Sequence, residues 1–187
     1  MPDLDFSILG VEHAAHGLTP LLHFKLAVMN TPADETIQSV ILQAQIQILA
    51  PGRSYNENEK PKLIDLFGTP DQWGTTLRAR LWTLSSTTVR TFTGSTEAVL
   101  PVPCSFDLNV AGTKYFYALE GGEVPLLFLF SGTIFYAAPN GQLQVDRSFR
   151  SNRVSIFAQS GAYRNQGHTS PVGSMGGSNF RRWPRSQ

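Results

Sequence analysis

The sequence predicts a mostly-β protein: an antiparallel β-sandwich of seven to nine short strands with one short helical insertion. Three observations lead there. Apolar residues recur with a period of two in short runs, and turn residues separate the runs. Turn formers are plentiful, with 16 Gly and 12 Pro, while charged residues make up only 16% of the chain, below the usual quarter. The stretch Glu123–Tyr136, EVPLLFLFSGTIFY, places large apolar or aromatic residues at nine of fourteen positions, the pattern of a central strand buried on both faces.

Each element follows from its own pattern. Leu4–Val11 alternates, with Leu4, Phe6 and Ile8 on one face and Asp5 and Ser7 on the other. Leu22–Met29 repeats this after a loop at His13–Pro20. Val40–Leu49 is the cleanest strand: Val40, Leu42, Ala44, Ile46 and Ile48 face inward and Gln43, Gln45 and Gln47 outward, so a slip by one residue would bury the amides. Pro51-Gly52 ends it.

The period then changes. Lys62–Phe67 reads as a short helix with Gly68 as a left-handed stop. Thr69-Pro70-Asp71-Gln72 reads as a new helix start, with Thr69 as N-cap and Gln72 closing a capping box, and the insertion spans about 57–74. Strand patterning returns at Thr76–Thr83, with Arg78, Arg80 and Trp82 sharing a face, and continues through Thr88–Phe92. Glu97–Val102 is a strand that ends in prolines, and Ser105–Val110 alternates. Thr113–Leu119 reads as a short helix before the long apolar strand. Asn140-Gly141 is the strongest hairpin signal, with Leu143–Val145 as the return strand.

The domain prediction is a sandwich over 3–147, followed by a basic Gly/Ser/Arg-rich tail over 148–187 that is expected to be poorly ordered. Residues 1–145 hold 8 basic and 13 acidic side chains, a net −5, whereas 146–187 hold seven arginines and one aspartate, a net +6. The tail lacks lysine and a helical stripe and has few aromatics, so no nucleic-acid partner is expected. The start of the chain shows no signal peptide and no stretch reads as a membrane-spanning helix, which makes the cytoplasm the expected compartment. A single cysteine, Cys104, fits a reducing environment.

Chemistry is sparse. His13 and His16 form an HxxH pair, but a metal site needs at least a third ligand, and only Glu12 and His23 are near in sequence. Cys104 has no histidine close in sequence to act as a base and reads as a small buried hydrophobe. Glu120 and Glu123 flank two glycines and read as an exposed turn, and no phosphate-binding glycine motif is present. No catalytic residue, metal ligand or cofactor is therefore expected. Trp73, Arg78, Arg80 and Trp82 form the candidate interaction surface, because Trp and Arg are typical interface anchors. The alternative for Trp82 is that it packs under the helical insertion.

Five segments carry a resemblance: LDFSILG at 4–10, SVILQAQIQI at 39–48, LIDLFGTPDQWGTTLRARLW at 63–82, FTGSTEAVLPVPCSFDL at 92–108 and KYFYALEGGEVPLLFLFSGTIFY at 114–136. Over about residues 3–145 the chain resembles an uncharacterised bacterial family of unknown function, often encoded near uptake nickel–iron hydrogenase genes and their maturation proteins. Family members continue past the final hairpin with a tryptophan-containing apolar segment, a pattern that Ser148–Gln187 departs from. The resemblance carries no site residues. It implies a non-enzymatic accessory or interaction module, with a hydrogenase subunit or maturation protein as partner. The competing expectation is a small-ligand binder or enzyme with its site between the sandwich and the helical insertion.

Overall fold

The computed structural model describes residues 2–13, 21–104, 110–138 and 140–157. Among these the chain forms β1 (Asp3–His13), β2 (Leu21–Thr31), β3 (Thr36–Ile48), α1 (Ile64–Phe67), α2 (Trp73–Thr76), β4 (Arg80–Val89), β5 (Phe92–Thr93), β6 (Ser95–Pro103), α3 (Val110–Ala118), β7 (Glu123–Ala137) and β8 (Leu143–Phe157). The strands make two antiparallel sheets: one in the order β1-β2-β6, the other in the order β4-β3-β7-β8 with β5 added beside β3. The mostly-β sandwich class is as the alternation predicts.

The chain divides into two compact units. The first comprises Met1–Ile46, Thr83–Pro103 and Phe128–Asn152 and contains the sandwich. Its core is built from the inward positions of both sheets. Phe24 of β2 meets Phe128 of β7 edge-on at 5.0 Å, and Phe6 of β1 meets Phe130 at 5.2 Å. Phe24 and Phe128 are completely buried, and full burial of such a side chain stabilises by about 1.5–3 kcal/mol. Two side chains join the sheets at their margins. The Ser85 hydroxyl of β4 donates to the Pro101 carbonyl of β6, and the Ser148 hydroxyl of β8 donates to the Leu4 carbonyl of β1.

Pairing is regular where the pattern is regular. β1 and β2 run in register from Asp3↔Thr31 to Ile8↔Leu26, then shift by one residue before Gly10↔Lys25. This bulge leaves Leu9 turned out and exposed. β2 and β6 pair without interruption from Leu21↔Pro103 to Met29↔Ser95. In β3 the inward residues are those expected, Val40 to Ile48 at alternate positions, all buried.

The central strand needs one correction. Phe128 and Phe130 lie on the buried face of β7 as predicted, and Leu127 and Leu129 lie on the other, but those leucines are half-buried rather than buried. Val124, Pro125 and Leu126 are buried on both faces, whereas from Leu127 on one face of β7 packs into the core and the other lies on the outside of the sheet. Gly132 allows close packing: a Cβ there would come within 3.2 Å of Val40 Cγ1.

Three boundaries differ from expectation. The predicted strand at Thr76–Thr83 begins at Arg80, since Thr76 closes α2, so the insertion runs two residues past Gly74. The helix predicted from Thr113 starts at Val110; residues 105–109 of the expected Ser105–Val110 strand lie outside the described residues. β8 continues to Phe157, through the first ten residues of the expected tail. An edge strand needs backbone pairing on one side only, so SFRSNRVSIF enters the sheet without an apolar alternation. Residues 158–187 lie outside the described residues.

Candidate functional site

The second unit, built on Gln47–Trp82 and Cys104–Leu127, holds the polar centre of the molecule. It begins with a turn. The Asn56 side-chain oxygen accepts from the backbone N–H of Asn58 and Glu59, and Glu59 Oε2 accepts from the Asn56 N–H at 3.1 Å. This reciprocal capping box aims the Glu59 carboxylate inward, where it is 2% exposed. Arg53 Nη2 donates to Glu59 Oε1 at 2.9 Å and Oε2 at 3.2 Å, and the Glu120 N–H donates to Oε1 at 2.9 Å. Arg53 also reaches the carbonyls of Ser54, Gly121 and Glu123. The buried pair thus pins the 120–123 turn to the 53–59 segment.

An aromatic cluster lies beside it. Tyr55 donates its hydroxyl to the Ala50 carbonyl at 2.8 Å and lies 2.8 Å from the Tyr115 hydroxyl of α3. Burial pushes both phenols upward, Tyr55 beyond the ordinary tyrosine range. Trp73 and Tyr115 each meet Tyr55 edge-on, and Phe67 meets Tyr115 the same way. The buried polar groups of the centre satisfy one another. The Glu59 oxygens accept from Arg53, Asn56 and Glu120, and the Arg53 guanidinium is spent on Glu59 and three carbonyls. A cleft of about 520 Å³ opens at this centre, lined by Arg53, Tyr55, Asn56, Glu59 and Glu120.

The predicted surface residues separate. Trp82 is 2% exposed and packs edge-on against Phe116 of α3 at 5.1 Å, so it belongs to the core of this unit and not to an exposed surface. Leu81 is turned out and Trp82 in, the packed alternative for Trp82, with Phe116 of α3 as its neighbour. Trp73 is half-buried and donates its indole N–H to the Gly68 carbonyl at 2.9 Å. Arg80 is exposed, donates to the Leu66 carbonyl at 2.7 Å and lies over the Phe67 ring. Arg78 is exposed and donates to the Thr75 carbonyl. The arginines tie down the insertion.

Gly68 is the left-handed stop expected, with φ +74 and its N–H bonded to Ile64. Thr69 has the extended backbone of an N-cap, but its side chain makes no capping bond. Glu120 is not a bare turn residue: Asn58, Asn56 and Lys62 bond its carboxylate and lower its pKa, that of Asn58 foremost. Among the described residues no group of three His, Cys, Asp or Glu could hold a metal. Cys104 is buried, His23 is half-buried in β2, and His16 and the side chain of His13 lie outside the described residues.

The surface that sequence reasoning passed over is the outer face of the second sheet, within the sandwich unit. β3 turns Ile41, Gln43 and Gln45 outward. β4 adds Leu84 and Ser86. β7 adds Leu129, Ser131 and Thr133. None of these carries a charge. A cleft of about 470 Å³ crosses the three strands between Leu84–Ser86, Gln43–Gln45 and Leu129–Ser131. Leu84, at its margin, is 66% exposed, more than any other large apolar side chain described. The signal was present in the glutamine alternation of β3, which shows a polar outward face that carries no charge.

The model of a family of unknown function (DUF6084) matches residues 1–152. The chain belongs to that family. No curated protein matches it. Among solved structures, a protein assigned to the late embryogenesis abundant (LEA) class is similar at 13% identity, covering 82% of this chain and 71% of its own, with a TM-score of 0.34. At that level the likeness carries no argument.

Proposed function

We propose, starting from membership of a family without an assigned function, that the protein is a non-enzymatic interaction module whose outer sheet face is an interface. One observation carries this reading. The buried groups with the chemistry of an active centre, Arg53, Glu59, Tyr55 and Tyr115, are committed to one another and to backbone. The face of β3, β4 and β7 offers a charge-free surface with a cleft of its own and a projecting leucine, whereas the cleft beside Arg53 and Glu59 is lined by charged groups already paired. Depletion of charge at the centre of a surface patch is the compositional mark of an interface core.

The finer reading follows the resemblance: the module serves assembly or scaffolding of a hydrogenase-type complex in the cytoplasm, with a hydrogenase subunit or maturation protein as partner and no cofactor of its own. No described helix is long and apolar enough to cross a membrane, which suits a peripheral role. The test is tagged purification from the native host, with wild type and a Ser86→Arg variant side by side. Stoichiometric recovery of an identified hydrogenase subunit or maturation protein with wild type, reduced in the variant, is expected. Recovery undiminished in the variant would move the interface elsewhere, and recovery of no such protein would end the hydrogenase reading.

A further inference from the structure

We infer that Asn140 is a site of self-modification: when the turn between β7 and β8 opens, its side-chain amide cyclises onto the Gly141 nitrogen and is lost as ammonia, and the closed turn holds this reaction off. Asn140 is followed by glycine, as no other asparagine of the chain is. Asn140, Gly141 and Gln142 are exposed, and a Cβ built on Gly141 would meet nothing within 4 Å, so water and base reach this peptide bond. Glycine also puts no side chain in the way of ring closure. The step needs no co-reactant but water. The Gly141 nitrogen gives its proton to solvent base and bonds to Asn140 Cγ. The Cγ–Nδ2 bond breaks, and Nδ2 takes up a proton and leaves as ammonia. Water then opens the cyclic imide. Opening at Cγ leaves aspartate. Opening at the backbone carbonyl leaves isoaspartate, whose main chain runs through Cβ and Cγ and is one carbon longer.

The folded turn opposes each part of that step. The Ala138 N–H donates to the Gln142 carbonyl and the Gly141 N–H to the Ala138 carbonyl, both at 2.8 Å. Gly141 has φ +78, the left-handed glycine that closes a short hairpin loop. The proton on the attacking nitrogen is thus held in a hydrogen bond. The amide under attack is held as well: Asn140 Oδ1 accepts from the Gln142 N–H at 3.0 Å, and Nδ2 donates to Gln142 Oε1 at 3.3 Å. Cyclisation requires both to let go, so the reaction belongs to the open fraction of the turn. Its product does not return. An extra main-chain carbon between Ala138 and Gln142 lengthens the loop that sets β8 in register with β7. Each opening therefore exposes the last strand to permanent loss of its turn.

The test follows amide-to-acid conversion by peptide mass spectrometry of the purified full chain, held at mildly alkaline pH and one temperature, folded and in guanidinium chloride. Aspartate and isoaspartate are both expected at position 140. The folded chain is expected to convert at least about tenfold more slowly than the unfolded one, as for a reaction confined to a minor open fraction. A synthetic peptide of residues 136–144, measured with and without guanidinium, removes the denaturant's own effect on the rate. Asn140→Ser is expected to abolish the conversion at that position. The isoaspartate fraction, once separated, is expected to melt below the unmodified chain. Equal rates in the folded and unfolded chains would overturn the inference, as would an unfolded chain in which Asn140 converts no faster than the other asparagines. An isoaspartate fraction with an unchanged midpoint would overturn the link from this turn to β8.

Discussion

Replacing Glu59 with glutamine tests whether the buried ion pair organises the second unit. The change keeps shape and volume and removes only charge and one acceptor. Glu59 accepts from Arg53 Nη2 at 2.9 and 3.2 Å, from Asn56 N at 3.1 Å and from Glu120 N at 2.9 Å. A glutamine must turn an NH₂ group toward one of those donor sets, so two bonds become donor–donor contacts. The Arg53 side chain, 10% exposed, is left without its counter-charge. Breaking a buried pair from one side destabilises by about 3–5 kcal/mol. At about 2–4 °C per kcal/mol for a chain of this size, the midpoint should fall by roughly 6–20 °C. Thermal unfolding followed by tryptophan fluorescence measures it, since Trp73 and Trp82 both lie in this unit. An Arg53→Met, Glu59→Leu double variant should recover part of the loss, because no lone charge remains buried. A Glu59→Gln protein within about 1 kcal/mol of wild type would refute the argument and reduce the pair to decoration.

Phe128→Ala, in the centre of β7, should cost about 3–5 kcal/mol by leaving a cavity against Phe24, measured by chemical denaturation. Truncation after Asp146 removes Ser148, buried against β1, and the Arg150–Asp3 ion pair, and uncovers an edge of β7. It should lower the thermal midpoint by more than about 5 °C, on the order of 1–2 kcal/mol, or give insoluble protein, whereas truncation after Phe157 keeps β8 and serves as the control. Glu120 should titrate below the usual carboxylate value by NMR, chiefly through Asn58. Its folded pKa is lowered, so its contribution is present above the unfolded pKa and fades as pH falls through the folded one, and Glu120→Gln should flatten the acid limb of stability there.

The fold was legible wherever one face of a strand is buried and the other is wet. In β3 the alternation of aliphatic residues with glutamines specified both the element and its orientation. It failed where that contrast vanishes. β8 holds its place by backbone pairing at an edge, so Ser148–Phe157 showed no period to read. Arg80, Leu81 and Trp82 offered two large apolar candidates at adjacent positions, and only packing against Phe116 decides which turns in. The Arg53–Glu59 centre carried a local signal, Asn56 three residues before Glu59, which is a capping box with no helix pattern strong enough to draw the eye. Its partners at Gly121 and Glu123 are distant in sequence, and no spacing rule reaches them.

The strand order of the larger sheet sets a timetable for synthesis. β3 lies between β4 and β7, and 74 residues separate Ile48 from Glu123. On the ribosome β3 is therefore finished long before its central neighbour exists, with Val40, Leu42, Ile46 and Ile48 waiting for a strand that has not been made. Closure of such a long loop makes pairing slow, and an exposed apolar strand is a point of aggregation while it waits. The smaller sheet fares better, because β1 and β2 are consecutive and can form a hairpin early. The nascent chain thus passes through a stage with a completed hairpin and a β3 that has β4 and β5 on one side and an open edge on the other, and expression should respond to chaperone supply and to slower translation before Glu123.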